Sequence, residues 1–328
     1  MRFSLNDEQR GFAQSLDDLL GDADVPAASR RWADGDGAAG LKLWKRLADL
    51  GVSALCVPEA HGGLGAGPVD MVVAFEALGR HLVPGPHVES AVLAPALLAA
   101  SGGGPGLDAL ADGTTMVTVA APPLTPFALD ADVAHEVLLL DGTTLFTAAA
   151  GEARTSVDRS RRLFDVHRGE EVGRLEPAAA ERALDGAVLA CSAQLLGAGE
   201  RALATTVEYA GSRRQFGRAI GEYQAVKHAL ADIRVALDFA RPLVYGAAVS
   251  LGAGSPDAGR DVSAAKAAVS DAAYLASRTA LQTHGAIGYT EEYDLGLWIN
   301  KIRALTTAWG TPRHHRARVL TAITAVSP

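Results

Sequence analysis

Arg213-Arg214-Gln215-Phe216-Gly217-Arg218-Ala219-Ile220, followed by Gln224, is the stretch on which the reading of this chain turns. It is a short basic segment containing a glycine, set between two long apolar-periodic runs, Ala187 to Ala210 and Ile220 to Leu251. A third run, Ser263 to Gln282, follows. Helices this long, joined by short loops, predict an antiparallel bundle. Arginines at a helix end suit a phosphate, because backbone N–H groups and guanidinium forks both point at the anion. Phe216 offers a flat face for an adenine or a flavin edge. On its residues alone the segment also reads as an ordinary solvated interhelical loop.

Working outward, the next informative segment is Gln282-Thr283-His284-Gly285-Ala286-Ile287-Gly288-Tyr289-Thr290-Glu291-Glu292. Its glycines permit close backbone approach to a ligand, although Gly285 also reads as a helix C-cap. Upstream, from about 113 to 185, the texture favours short strands: Thr115 to Val119, Val137 to Leu140, Thr144 to Thr147 and Leu163 to Val166. Pro122-Pro123, Asp141-Gly142 and Gly169 punctuate them. Before that the chain reads as helical. Asn6 with Gln9 makes a capping box. Leu41, Trp44, Leu47 and Leu50 keep helical spacing up to Gly51, and Val69 to Leu78 resumes it after a glycine-rich loop at Pro58 to Gly65. The expected fold is mostly α with a small central β domain, divided as 1–112 helical, 113–185 β and 186–328 helical bundle.

Composition narrows the function. Hydrophobic residues are 48% of 328, enough for a sizeable core, and abundant small residues let helices pack closely. A net charge of −8 argues against nucleic-acid and membrane-surface partners, which need clustered positive charge. Val88 to Ala100, the most apolar stretch, is interrupted by Glu89 and Pro95 and is too short to span a bilayer. The start carries no targeting signal, so a cytoplasmic protein is expected. Two cysteines, Cys56 and Cys191, make neither a disulfide framework nor a thiolate metal site. The adjacent His314 and His315 diverge on a helix, so no metal site is expected. His284 reads as a packed helix-end residue, and Glu59 as a turn residue.

Taken in order, the motifs resemble the acyl-CoA dehydrogenase family. They are Pro58-Glu59-x-x-Gly62-Gly63-x-Gly65, Asp158-x-x-Arg161 and Arg213-x-x-Phe216-Gly217, then Gln224 with His228 and Asp232 on the following helix. After them come Gln282-x-x-Gly285-x-x-Gly288-Tyr289-Thr290-x-Glu292, Gly310-Thr311 and Arg316. The likeness covers most of the chain. It implies an N-terminal helical domain, a middle β domain and a C-terminal four-helix bundle, with FAD bound between β domain and bundle and completed by a neighbouring subunit. It also implies a glutamate that takes the α-proton of an acyl-CoA thioester while the β-hydrogen leaves as hydride to the flavin. Carried over, the FAD-contacting residues are Arg213, Phe216, Gln282, Gly285 and Ala286, with Gln224 and Thr311 as further candidates. Ala286 replaces the family's second glycine, and its methyl crowds a close backbone contact.

The catalytic pattern breaks. The family's glutamate precedes Gly-Thr in the last loop, and here that position is Trp309. A minority places it on the first bundle helix, at the position of Ala187, next to Val188. Neither position holds a carboxylate, so no catalytic residue is assigned. The middle domain is short and lacks the family's flavin-contacting loop, with Pro122-Pro123-Leu124-Thr125-Pro126 in its neighbourhood. The resemblance therefore implies a subunit without its own base that completes a partner's FAD site in trans. It points to an α₂β₂ heterotetramer of the sterol side-chain type, with a bulky acyl-CoA substrate and an electron-transfer flavoprotein or similar acceptor. Three alternatives stay open. One is a homomeric enzyme whose base is Glu291, Glu292, Asp294 or Asp185. The others are a flavin-dependent monooxygenase on the same scaffold and a non-enzymatic helical scaffold.

Overall fold

The computed structural model describes residues 4–102, 106–290 and 293–325. The N-terminal helices are α1 (Asp7–Gly21), α2 (Val25–Ala33), α3 (Ala38–Asp49), α4 (Pro68–Arg80), α5 (Ala94–Ala100) and α6 (Leu107–Ala111). Asn6 and Gln9 form the reciprocal cap expected for α1. Glu89–Leu93 is a π-turn leading into α5.

Five strands follow: β1 (Val117–Ala120), β2 (Ala128–Leu129), β3 (Glu136–Asp141), β4 (Thr144–Arg154) and β5 (Leu163–Arg174). They form one sheet in the order β1-β3-β4-β5-β2, with β1 and β3 parallel and the other pairings antiparallel. The last two strands outrun the short apolar runs that announce them. Beyond Ala148 and Arg168 most side chains of the β4–β5 ribbon are exposed, so backbone pairing rather than burial extends it. Pro122 to Thr125 is a tight turn closed by a bridge between Ala121 and Thr125.

The C-terminal helices are α7 (Pro177–Ser212), α8 (Gln224–Gly252), α9 (Ala258–His284), α10 (Leu295–Thr307) and α11 (Pro312–Thr324). The short segment before α8 differs from the sequence expectation. Arg213 to Ile220 is a β-hairpin, β6 (Arg214–Gln215) and β7 (Arg218–Ala219), and Ile220 opens a 3₁₀ turn rather than the helix. Phe216 and Gly217, at φ 52° and 85°, are both left-handed, the backbone that a two-residue hairpin turn requires.

Small residues bring the helical layers together. A Cβ on Gly197 of α7 would lie 1.9 Å from the Glu76 carbonyl oxygen of α4, so only glycine fits. At this contact Glu76 itself is buried, paired with Arg80 and with Arg241 of α8, and accepts from the Tyr245 hydroxyl. Arg241 reaches on to Glu200 of α7, which also holds Arg234. One chain of alternating charges thus ties the N-terminal helices to the bundle, with buried Glu76 and half-buried Glu200 each meeting more than one guanidinium. Among the described residues, no helix is long and apolar enough to cross a membrane.

Candidate functional site

Tyr209, one turn before the end of α7, stacks on His284 at the end of α9, with ring centroids 4.1 Å apart. This contact gathers two of the predicted segments, Arg213 to Phe216 and Gln282 to Ala286, at one end of the bundle. Arg213 is the exposed C-cap of α7, and Phe216 at the hairpin tip is 93% exposed. Arg218 lies over the Tyr223 ring at 3.9 Å, and the Tyr223 hydroxyl donates to the Gln215 carbonyl at 3.2 Å, bracing the hairpin. Gln224 is the exposed first residue of α8. Gln282, Gly285 and Ala286 are exposed, and a side chain built on Gly285 or Gly217 would meet nothing within 4 Å. His284 donates from Nδ1 to the Ala280 carbonyl at 2.8 Å, so Nε2 carries a lone pair; that atom is buried with no hydrogen-bond partner among the described residues. The ring acts as packing, as its sequence position suggests.

Thr311 stands apart from this cluster. It is the N-cap of α11, accepting from the His314 backbone N–H at 3.2 Å. Its loop packs on Cys191, 22 residues before Arg213 along α7, or about 33 Å at helical rise.

The position expected to hold the base is sealed. Trp309 is 1% exposed, and its φ of 58° is unusual for a bulky side chain. His315 donates from Nε2 to the Trp309 carbonyl at 2.9 Å, which leaves Nδ1 to accept from Ser263 Oγ at 3.2 Å. Burial and neighbouring charge push His315 down to about 4, so it stays neutral in that role. Ala187 and Val188 are buried on α7, beside Cys191 and near Lys266 of α9. Cavities of about 440 Å³ and 520 Å³ exist elsewhere, and neither is lined by Ala187, Trp309 or Lys266.

The acids proposed as replacements are engaged. Asp185 is buried and receives both terminal nitrogens of Arg318. Asp294, at the start of α10, pairs with Arg30 at 2.6 Å. Glu291 and Glu292 lie outside the described residues. His314 and His315 meet edge to face, and no cluster of metal-binding side chains occurs among the described residues.

One feature escaped the sequence reading. Glu89, on the π-turn, is 2% exposed, with Oε2 unpartnered among the described residues. Burial pushes its carboxyl up to about 7, against the pull of Arg161. Asp130 nearby is fully buried, accepts from Trp32 Nε1 at 3.0 Å and from Arg162, and is pushed up to about 6 by burial. Asp158 is also buried, but Lys301 Nζ at 2.9 Å overcomes the desolvation and holds it low. Glu89 interrupts an apolar run, which marks a buried charge, but only the fold shows what faces it.

Comparison with known proteins agrees with this architecture. Residues 6–103 match the acyl-CoA dehydrogenase N-terminal domain, and residues 178–324 match the acyl-CoA dehydrogenase C-terminal domain. The chain is 32% identical over 283 residues to acyl-CoA dehydrogenase IpdE2 of Mycolicibacterium smegmatis, covering 84% of this chain and 86% of that protein. It belongs to the acyl-CoA dehydrogenase family, whose members are FAD-dependent oxidoreductases acting on acyl-CoA. Among solved structures, the fold is shared with the ChsE4-ChsE5 complex from Mycobacterium tuberculosis. There the TM-score is 0.85 at 23% identity, covering all of both chains. The Tcur3481-Tcur3483 steroid acyl-CoA dehydrogenase gives 0.87 at 23% identity, covering 99% of this chain and 100% of that one.

The fit to FAD is divided. The hairpin tip and the Gly285–Ala286 backbone are open and exposed, as contacts to a flavin nucleotide require. The loop around Trp309 is filled by the chain's own side chains.

Proposed function

We propose that this chain is the non-catalytic subunit of a heteromeric acyl-CoA dehydrogenase and completes the FAD site of a partner subunit. The observation that carries this reading is the contrast within one chain: the nucleotide-contacting residues are exposed, while the base position is packed shut with Trp309. Phe216 would give the nucleotide a flat apolar face, and Arg213 a guanidinium fork for its phosphates. The exposed backbone at Gly285 and Ala286 would approach it closely, with Gln282 donating from its amide. Gln224 lies at the helix end next to the hairpin, where its backbone N–H adds positive potential. When bound, FAD supplies the acceptor for the hydride. The base that removes the α-proton belongs to the partner in this reading, because neither Trp309 nor Ala187 can take a proton.

Two names support the choice of assembly and substrate. One related fold was solved as the ChsE4-ChsE5 complex, and the other is described as a steroid acyl-CoA dehydrogenase. We extend both to this chain: an α₂β₂ heterotetramer acting on a bulky, sterol-derived acyl-CoA, with an electron-transfer flavoprotein or similar acceptor. The homomeric alternative loses ground because Asp185 and Asp294 are held in ion pairs.

Co-expression with a second acyl-CoA dehydrogenase-family chain from the same genome tests the proposal. The expected product is a heteromer with one FAD per heterodimer. A yellow homo-oligomer with one FAD per chain, active on an acyl-CoA, would refute it.

A further inference from the structure

We propose that Lys266 and Cys191 are a buried pair that hydrogen peroxide joins covalently, linking α9 to α7. The two residues sit on different helices, and neither reaches solvent. Lys266 Nζ lies 3.5 Å from Cys191 Sγ. Both groups converge on the C-terminal end of α10. Lys266 donates to the Leu305 carbonyl, and the Cys191 thiol faces that oxygen at 3.6 Å and the Ala308 carbonyl at 3.9 Å. The Cys191 thiol, through its charge and its hydrogen bond, draws Lys266 towards its charged form. Burial and the charge of Arg161 favour the neutral amine, which is the nucleophilic form. Peroxide reaches this thiol only when the helices open locally, and on reclosure the oxidised sulfur has an amine in contact and little water to compete with it.

The chemistry needs one equivalent of hydrogen peroxide. Its O–O bond breaks, the thiol sulfur gains one oxygen as a sulfenic acid, and water leaves. The Lys266 nitrogen then attacks that sulfur. The S–O bond breaks, an N–S bond forms, and a second water carries away the hydroxyl and an amine proton. Sulfur has lost two electrons to peroxide, and the protein has lost two hydrogens. The link would clamp α7 to α9 beside the loop that carries Trp309. Cys56 is the internal control: burial pushes its thiol up to about 12, and no amine is hydrogen-bonded to it among the described residues.

The experiment treats the folded full chain with hydrogen peroxide, digests it without reductant and maps the peptides by mass spectrometry. The expected product joins the Cys191 peptide to the Lys266 peptide, two hydrogens lighter than their sum, and a thiol reductant releases it. Cys191→Ser and Lys266→Gln are expected to lack this product and Cys56→Ser to retain it. Should the buried substitutions fail to fold, the wild-type chain unfolded in urea is the second comparison, and there the product is expected to vanish. Cys191 left untouched, or carried on to sulfinic or sulfonic acid with Lys266 free, would overturn the proposal. A joined peptide equally abundant in urea would do the same.

Discussion

Two tight turns in this chain share one local design and meet opposite fates. In each, an aromatic residue precedes a glycine and both are left-handed: Phe216-Gly217 at φ 52° and 85°, Trp309-Gly310 at φ 58° and 99°. Left-handed backbone at a non-glycine costs roughly 1–3 kcal/mol, so the surroundings must hold it there. At Trp309 the indole is 1% exposed, and His315 fixes the backbone carbonyl. At Phe216 the ring is 93% exposed, and nothing among the described residues covers it. The Trp309 turn is finished by its own fold. The Phe216 turn is held by a hairpin and keeps its largest apolar surface exposed, which the proposed function gives to a flavin nucleotide.

The largest expected effect lies on the buried side. Trp309→Ala should destabilise the chain by about 3–5 kcal/mol, the scale of a large buried aromatic truncated in a core. On the proposed function it should leave flavin affinity per folded heteromer unchanged, because that reading gives the buried indole no contact with the nucleotide. Denaturant unfolding and flavin titration check the two halves separately. A loss of flavin binding in folded protein would erase the contrast between the turns.

Burial also sets a pH dependence. The Glu89 carboxyl rises from 4.5 to about 7 in the fold, so the folded state holds its proton more tightly than the unfolded chain. The resulting stability is complete below about pH 4.5 and is lost as pH rises through 7. Glu89→Gln, which cannot ionise, should therefore exceed wild type by up to about 3 kcal/mol at pH 8 and match it near pH 4. Unfolding curves at the two pH values decide it, and an equal difference at both would remove the titration from the account.

On the exposed side the effects are smaller and fall on binding. Phe216→Ala should weaken FAD retention by the partner complex about 10- to 100-fold, the scale of an aromatic anchor. Its own unfolding free energy should stay within about 0.5 kcal/mol of wild type. The smallest change is Ala286→Gly. Removing one methyl from the exposed backbone should tighten FAD by less than about tenfold, under about 1.4 kcal/mol, and equilibrium dialysis of the heteromer measures it.

The helical layers were readable because periodicity and small residues speak directly. The Asn6–Gln9 cap, the run from Leu41 to Leu50 and the three long bundle helices all follow from local spacing. The hairpin was not, because its strands are two residues each and no alternation announces them. The extension of β4 and β5 beyond their apolar starts was equally silent, since backbone pairing needs no side-chain pattern. At the candidate site, the motif residues could be located by position, but their exposure could not. That Trp309 is packed rather than projecting, and that Lys266 lies beside Cys191, depends on contacts between residues 39 to 117 positions apart, which no window of sequence contains. Glu89 shows the same limit: Arg161 and Asp130, which face it, come from the sheet region.

The central claim is that this chain offers contacts to a flavin nucleotide but does not hold one itself. The most direct test is titration of FAD into the purified chain without any partner, followed by absorbance and dialysis. The account predicts no stoichiometric binding and no oxidation of an acyl-CoA. One tightly held FAD per chain, with turnover of an acyl-CoA thioester, would contradict it.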